Sequence, residues 1–187
     1  MDYLLLLRGV NVGGNHRVPM AELRAQLEQA GFTNVASYIN SGNLLFASDA
    51  PVSEVEALVE RILLQEYDWS IPFTLLSQGD IAELIVAAPI WWGEREDWRH
   101  NALFKLHGYQ TEFDQLILDK VTEEYDQVFV TAHVIFWSSP SKVHYSRALY
   151  AKMLNEPFYP EVSIRNRNTT LKLAAMMEKR ADEELDN

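Results

Sequence analysis

The sequence predicts an α+β protein in which the element order βαββαβ occurs twice, and three observations predict it. Apolar runs short enough for strands alternate with stretches of helical period. Glycine and asparagine punctuation marks a tight hairpin between the second and third strands of the first half. The same order of elements then returns in the second half with no obvious sequence repeat.

In the first half, Tyr3 to Val10 reads as a strand ended by the Gly- and Asn-rich loop Asn11 to Val18. Pro19 suits a first helical position, and Met20, Leu23 and Leu27 share one face of a helix that Gly31 terminates. Strands Asn34 to Ile39 and Asn43 to Ala47 are joined through Asn40-Ser41-Gly42, a hairpin turn. Ser53 is placed to cap a helix carrying Val55, Leu58, Val59, Ile62 and Leu63 on one face, and Ile71 to Leu76 closes the unit.

The second half gives strand Ala102 to His107, a helix near Glu112 to Leu118, strands Gln127 to Thr131 and His133 to Trp137, a helix around Lys142 to Leu154 and a strand near Val162 to Arg165. A helix from Asp80 to Ala88 and a Trp-rich loop, Ile90 to His100, join the halves, and a last helix starts at Thr169 with Asn168 as its cap. The expected organisation is an N-terminal lobe over residues 1–78, a connector over 79–100 and a C-terminal lobe with terminal helix over 101–187.

βαββαβ is the split-βαβ, ferredoxin-like order, an antiparallel sheet with two helices on one face. The fold class is therefore two ferredoxin-like lobes in tandem plus a C-terminal helix. Its first and third strands are central neighbours, which predicts that the Asn11 loop meets the Ser41 turn. The apolar runs Leu4 to Leu7 and Leu44 to Phe46 predict central strands covered on both faces, the second face by the other lobe or a partner subunit.

Composition narrows the function classes. Apolar residues make up 48% of the 187, which is a globular composition. The absence of cysteine excludes disulfides, thiolate metal sites and cysteine nucleophiles, and fits a reducing compartment. No leader is read at Met1 to Arg8 and no stretch is long enough to span a bilayer, so the expected location is the cytoplasm, with no membrane partner. A net charge of −11 opposes a nucleic-acid partner, and the aromatic-basic pattern of RNA-binding sheets is missing. Acids are nevertheless absent from Tyr3 to Ala21, Gln29 to Ser48, Gln127 to Asn155 and Val162 to Met177, the segments richest in Gly, Asn and Arg punctuation. An anionic small molecule fits such segments.

Leu6-Leu7-Arg8-Gly9-Val10-Asn11-Val12-Gly13-Gly14, then Met20, Leu23, Gly31-Phe32, Val35, Tyr38-Ile39, Ser41-Gly42-Asn43 and Phe46, form a pattern that resembles the bacterial family of domain of unknown function 1697. Arg165-Asn166-Arg167-Asn168-Thr169 with Lys172-Leu173 looks like that family's second signature, in which a Trp more usually follows Arg-Asn, so Arg167 is a departure. The resemblance implies a fold and two signature segments. It brings no activity, cofactor or catalytic residue.

The chemistry of the motifs is mostly exclusion. Gly9 and Gly14 have P-loop spacing, but Asn15-His16 stands where Lys and Ser or Thr must reach phosphate and magnesium. Ser139-Pro140-Ser141-Lys142 matches S-x-x-K without the companion elements of that acyl-transfer class. The five histidines have no metal-ligand spacing, so no metal or other cofactor is expected. What remains is a set of candidate ligand-binding residues: Arg8, Asn11, Gly13, Gly14, Ser41 and Asn43 in the first lobe, and Arg165, Asn166 and Lys172 at the last helix. The leading expectation is a protein, monomer or homodimer, that binds a phosphate-bearing small molecule there. A transferase or hydrolase using the same groups, with His16 as acid or base, is the second reading. An interaction or assembly module working through Trp91, Trp92 and Trp98 is the third.

Overall fold

The computed structural model describes residues 1–141 and 145–185. It contains two four-stranded antiparallel sheets, each with helices, in the ferredoxin-like arrangement repeated in tandem. The chain divides into two compact units, Met1–Ile81 with Leu173–Asn187, and Ala82–Lys172. No described helix is long and apolar enough to cross a membrane.

In the first unit, β1 (Asp2–Leu7), β2 (Thr33–Ser37), β3 (Asn43–Ala47) and β4 (Phe73–Ser77) lie in the order β2-β3-β1-β4. β1 pairs antiparallel with β3, Leu5 opposite Leu44 and Tyr3 opposite Phe46, as the element order predicts. Because side chains alternate along a strand, Tyr3, Leu5, Leu7, Leu44 and Phe46 share one face. There they pack with Met20, Leu23 and Leu27 of α1 (Met20–Gln29) and Val55, Val59, Ile62 and Leu63 of α2 (Val52–Glu66). Leu4, Leu6 and Leu45 point the other way and are equally inaccessible. Full burial of a leucine stabilises by roughly 1.5–3 kcal/mol, which accounts for the unbroken leucine run Leu4 to Leu7 in this central strand.

Gly31, at φ +100, ends α1 in a Schellman motif: Phe32 N donates to Leu27 O (3.1 Å) and Gly31 N to Glu28 O (3.0 Å). Two helix starts differ from expectation. Pro19 (ψ 114) and Pro51 (ψ 149) are the last extended residues before α1 and α2, so Pro19 precedes the helix and Ser53 lies inside its helix instead of capping it.

In the second unit, β5 (Trp98–Lys105), β6 (Gln127–Val130), β7 (Val134–Pro140) and β8 (Val162–Asn166) lie in the order β6-β7-β5-β8. The connecting helix, α3 (Gln78–Ala87), precedes β5. β5 starts earlier than its apolar residues suggest. Trp98, Arg99 and His100, expected in a loop, pair with Pro140, Ser139 and Ser138. Leu103, Ile135, Trp137 and Val162 form the core with Ile117 of α4 (Glu112–Lys120) and with Leu149 and Met153 of α5 (Leu149–Met153).

The helix expected around Lys142 to Leu154 is, over the described part, a 3₁₀ turn (Tyr145–Arg147) and the short α5; Lys142 to His144, with the lysine of the S-x-x-K match, lie outside the described residues. Ala148 is extended (ψ 161) and separates the two pieces. The carboxylate of the buried Asp126 accepts from Leu149 N (2.9 Å), Trp137 Nε1 (2.9 Å) and Thr122 N (3.1 Å). It therefore anchors α5 to β7.

A second polar cluster ties β5 to α4. Lys105 Nζ lies 2.9 Å from Asp114 Oδ1, and Tyr109 Oη donates to the same carboxylate (2.8 Å). Tyr109 is raised above the ordinary tyrosine value of 10, first by burial, then by that hydrogen bond and then by the charge of Asp114. Burial also raises Tyr3 and Tyr67. The unfolded chain loses the Tyr109 proton near pH 10, before the folded one. The associated stability is intact below that pH and falls as pH rises beyond it. In ultraviolet titration, Tyr109→Phe is expected to remove one tyrosine from the late-ionising component; an unchanged late component would contradict the assignment.

The last helix, α6 (Arg167–Leu185), starts two residues before the expected Thr169. The helix is expected in the C-terminal lobe over its whole length, whereas its residues from Leu173 belong to the first unit. Leu173, Met177 and Arg180 fall on one stripe by their i, i+4, i+7 spacing. Arg180 Nη1 donates to Asp2 Oδ1 at 2.7 Å, and its other terminal nitrogen donates to Asn34 O. Asp2 is on the Leu4 and Leu6 face, so this stripe meets the side of the sheet opposite α1 and α2.

Candidate functional site

The first unit brings the Asn11 loop and the Ser41 turn together. Leu7 N donates to Gly42 O (2.8 Å), and Asn11 Nδ2 donates to Asn40 O (2.7 Å) and to Val18 O (2.8 Å) while its Oδ1 accepts from Val18 N (2.9 Å). One side chain thus closes the loop and joins it to the turn. The loop is a miniature hairpin, Asn11 N donating to His16 O and Asn15 N to Val12 O, reversed at Gly13 (φ +61) and Gly14 (φ +81). Gly14, Asn15 and Arg17 line a groove of about 350 Å³ with Asn40.

Asn43 is fully buried and donates to Tyr38 O (3.0 Å) and Ser41 Oγ (2.9 Å), bracing the turn. Arg8 is half-buried, its backbone N donating to Pro72 O (2.9 Å). His16 stacks on Trp69, ring centroids 5.2 Å apart. Ile39 next to the turn is half exposed with φ +49, a conformation that opposes a β-branched side chain.

The second unit holds a larger cavity, about 510 Å³, where β5 begins and β8 passes into α6. Asn166 is the predicted residue found there. It is the N-cap of α6, its Oδ1 accepting from Thr169 N at 2.8 Å, so the cap is Asn166 and not Asn168. Arg165 does not line this cavity. Strand alternation sends it to the opposite face from Asn166, where it is 8% exposed and donates to Ser163 Oγ (2.9 Å) and Ile164 O (3.0 Å). Burial pushes its pKa down to about 10, which leaves it charged at neutral pH. Lys172 is exposed in the second turn of α6, outside the cavity lining.

Three arginines, Arg95, Arg99 and Arg167, line the cavity against one carboxylate, Glu96. Arg167 is closely constrained. Its Nε donates to Trp92 O (2.8 Å), its guanidinium carbon lies 5.6 Å from the Trp92 ring centroid, and an added Cβ at Gly93 would come within 2.6 Å of Cζ. Trp92 is itself buried, donating to Asn101 O (2.9 Å) and packing edge-on to Phe136. Arg95 lies over the Trp98 ring at 4.2 Å and pairs with Asp97 at 3.4 Å. His100 Nε2 meets Arg95 O (2.8 Å); a carbonyl only accepts, so Nε2 carries the hydrogen, and in the neutral ring Nδ1 accepts from Ser138 Oγ (2.6 Å). Ser138 is fully buried, so this pair holds the Arg95 backbone and presents no accessible nucleophile.

Arg95, Glu96 and Arg99 are not among the sequence-predicted site residues, because they lie in the Trp-rich loop Ile90 to His100, whose charges match no binding motif. The stretch Val162 to Met177 holds no acid, and the carboxylate in this cavity, Glu96, comes from 70 residues earlier in the chain. The only signal was the unusual density of Trp in the Ile90 to His100 loop.

The conserved bacterial protein SP0830 from Streptococcus pneumoniae has a solved structure that matches with a TM-score of 0.87 and 33% sequence identity, over 94% of this chain and 98% of that one. No curated protein matches. Residues 1–136 match the family described as a protein of unknown function, DUF1697, and the chain belongs to that family.

Proposed function

We propose that this protein binds an anionic, phosphate-bearing small molecule in the cavity at the start of α6. The observation that carries the reading is Arg167. Its Nε is held by Trp92 O and its position by Trp92 and Gly93, while the described residues give its terminal nitrogens no partner. A guanidinium fixed in this way presents a preformed fork to an oxyanion. Arg95 and Arg99 add positive charge on the same wall. The cavity volume is that of small-molecule sites. The Asn11 groove with Arg17 is smaller and has one arginine.

The test is thermal unfolding at low ionic strength with phosphate or sulfate. A ligand at ten times its Kd stabilises by about 1.4 kcal/mol, roughly 3–6 °C at this chain length. Wild type is expected to show that increment and to lose it at high salt. Arg167→Gln and Gly93→Ala, whose new methyl displaces the guanidinium, are expected to show less than a third of it, whatever their own midpoints. An equal increment in Arg167→Gln would sink the reading.

A further inference from the structure

Resting on the anion reading above, we infer that the cavity selects a phosphate carried on a hydroxyl-rich, non-aromatic body, the chemistry of a sugar phosphate, and that Glu96 is the residue that reads the hydroxyls. Glu96 is exposed, lines the same wall as the three arginines and has no partner among the described residues. A carboxylate that only accepts would repel a bare dianion, so its presence among arginines favours a ligand that brings hydrogen-bond donors beside its charge. An ammonium donor would be opposed by three arginines; hydroxyls are not.

The amides agree with this. Asn101 and Asn166 are opposite each other across β5 and β8 and therefore share a face, and Asn168 follows on the first turn of α6. Each offers both a donor and an acceptor, although Asn166 Oδ1 is already engaged by Thr169 N. Two aromatic rings line the cavity: His100, whose ring nitrogens are held by Ser138 Oγ and Arg95 O, and Trp98, which is half-buried and carries the Arg95 guanidinium on its face at 4.2 Å. A nucleobase would have to displace that guanidinium to stack there.

Calorimetric titration of the full chain with inorganic phosphate, ribose 5-phosphate, adenosine 5′-monophosphate and O-phosphoethanolamine tests the inference. Ribose 5-phosphate is expected to bind at least tenfold tighter than inorganic phosphate, with the adenosine nucleotide no tighter than the sugar phosphate. Glu96→Gln is expected to cut the tenfold ratio below about threefold while leaving phosphate affinity equal or improved. The sugar-phosphate assignment is overturned if phosphate and ribose 5-phosphate bind alike, if the ratio survives Glu96→Gln, or if either of the other two ligands binds tenfold tighter than ribose 5-phosphate. Absence of binding by all four overturns the anion reading itself, and with it this one.

Discussion

Gly42→Val is expected to destabilise the protein by about 3–5 kcal/mol, lowering the thermal midpoint by roughly 6–20 °C. Gly42 has φ +74, and a Cβ there would lie 2.7 Å from Leu7 Cβ and 2.8 Å from Val10 Cγ2. Neither neighbour has room to retreat, since Leu7 is 1% and Val10 2% exposed. Steric overlap and a β-branched residue in the left-handed region therefore act together. Ser41→Ala, one residue away, removes a hydroxyl that accepts from Asn43 Nδ2 and is expected to destabilise by only about 1 kcal/mol. Denaturant unfolding of the two variants side by side gives the comparison. Equal losses would mean that the serine does more than shape the turn.

Asp126→Ala is expected to destabilise by about 3–5 kcal/mol, because it strips the acceptor from three N–H donors in and around a closed core. Two of them, Trp137 Nε1 and Leu149 N, are buried with the carboxylate. Asp126→Asn keeps one acceptor oxygen and is expected to lose about half as much. The double variant Asp126→Ala, Trp137→Phe is expected to be less destabilised than the two single effects added, since the indole donor no longer needs a partner. Additive losses in that cycle would show that the indole and the carboxylate do not depend on each other.

Strong local signals carried much of the fold. Leu4 to Leu7 and Leu44 to Phe46 pair where the order βαββαβ requires, and Gly31 and Gly42 have the positive φ their positions demand. Trp98 to His100 escaped because a strand edge made of Trp, Arg and His has no apolar alternation to read; it is a strand through its partners on β7. The start of α6 escaped for a related reason: Asn166 and Asn168 are equally good caps by type, and only the preceding β8 backbone decides between them.

Strand period, turn residues and chain connectivity were enough to read the two lobes, their element order and the meeting of the Asn11 loop with the Ser41 turn. Tertiary structure alone decided the candidate site. Side chains from Arg95 to Asn101 and from Asn166 to Asn168 converge only because β5 and β8 are antiparallel neighbours, and the same alternation that brings Asn166 to the cavity turns Arg165 away from it. Convergence across 70 residues has no local signature, since nothing in the pattern around an arginine records which distant carboxylate will line the same cavity.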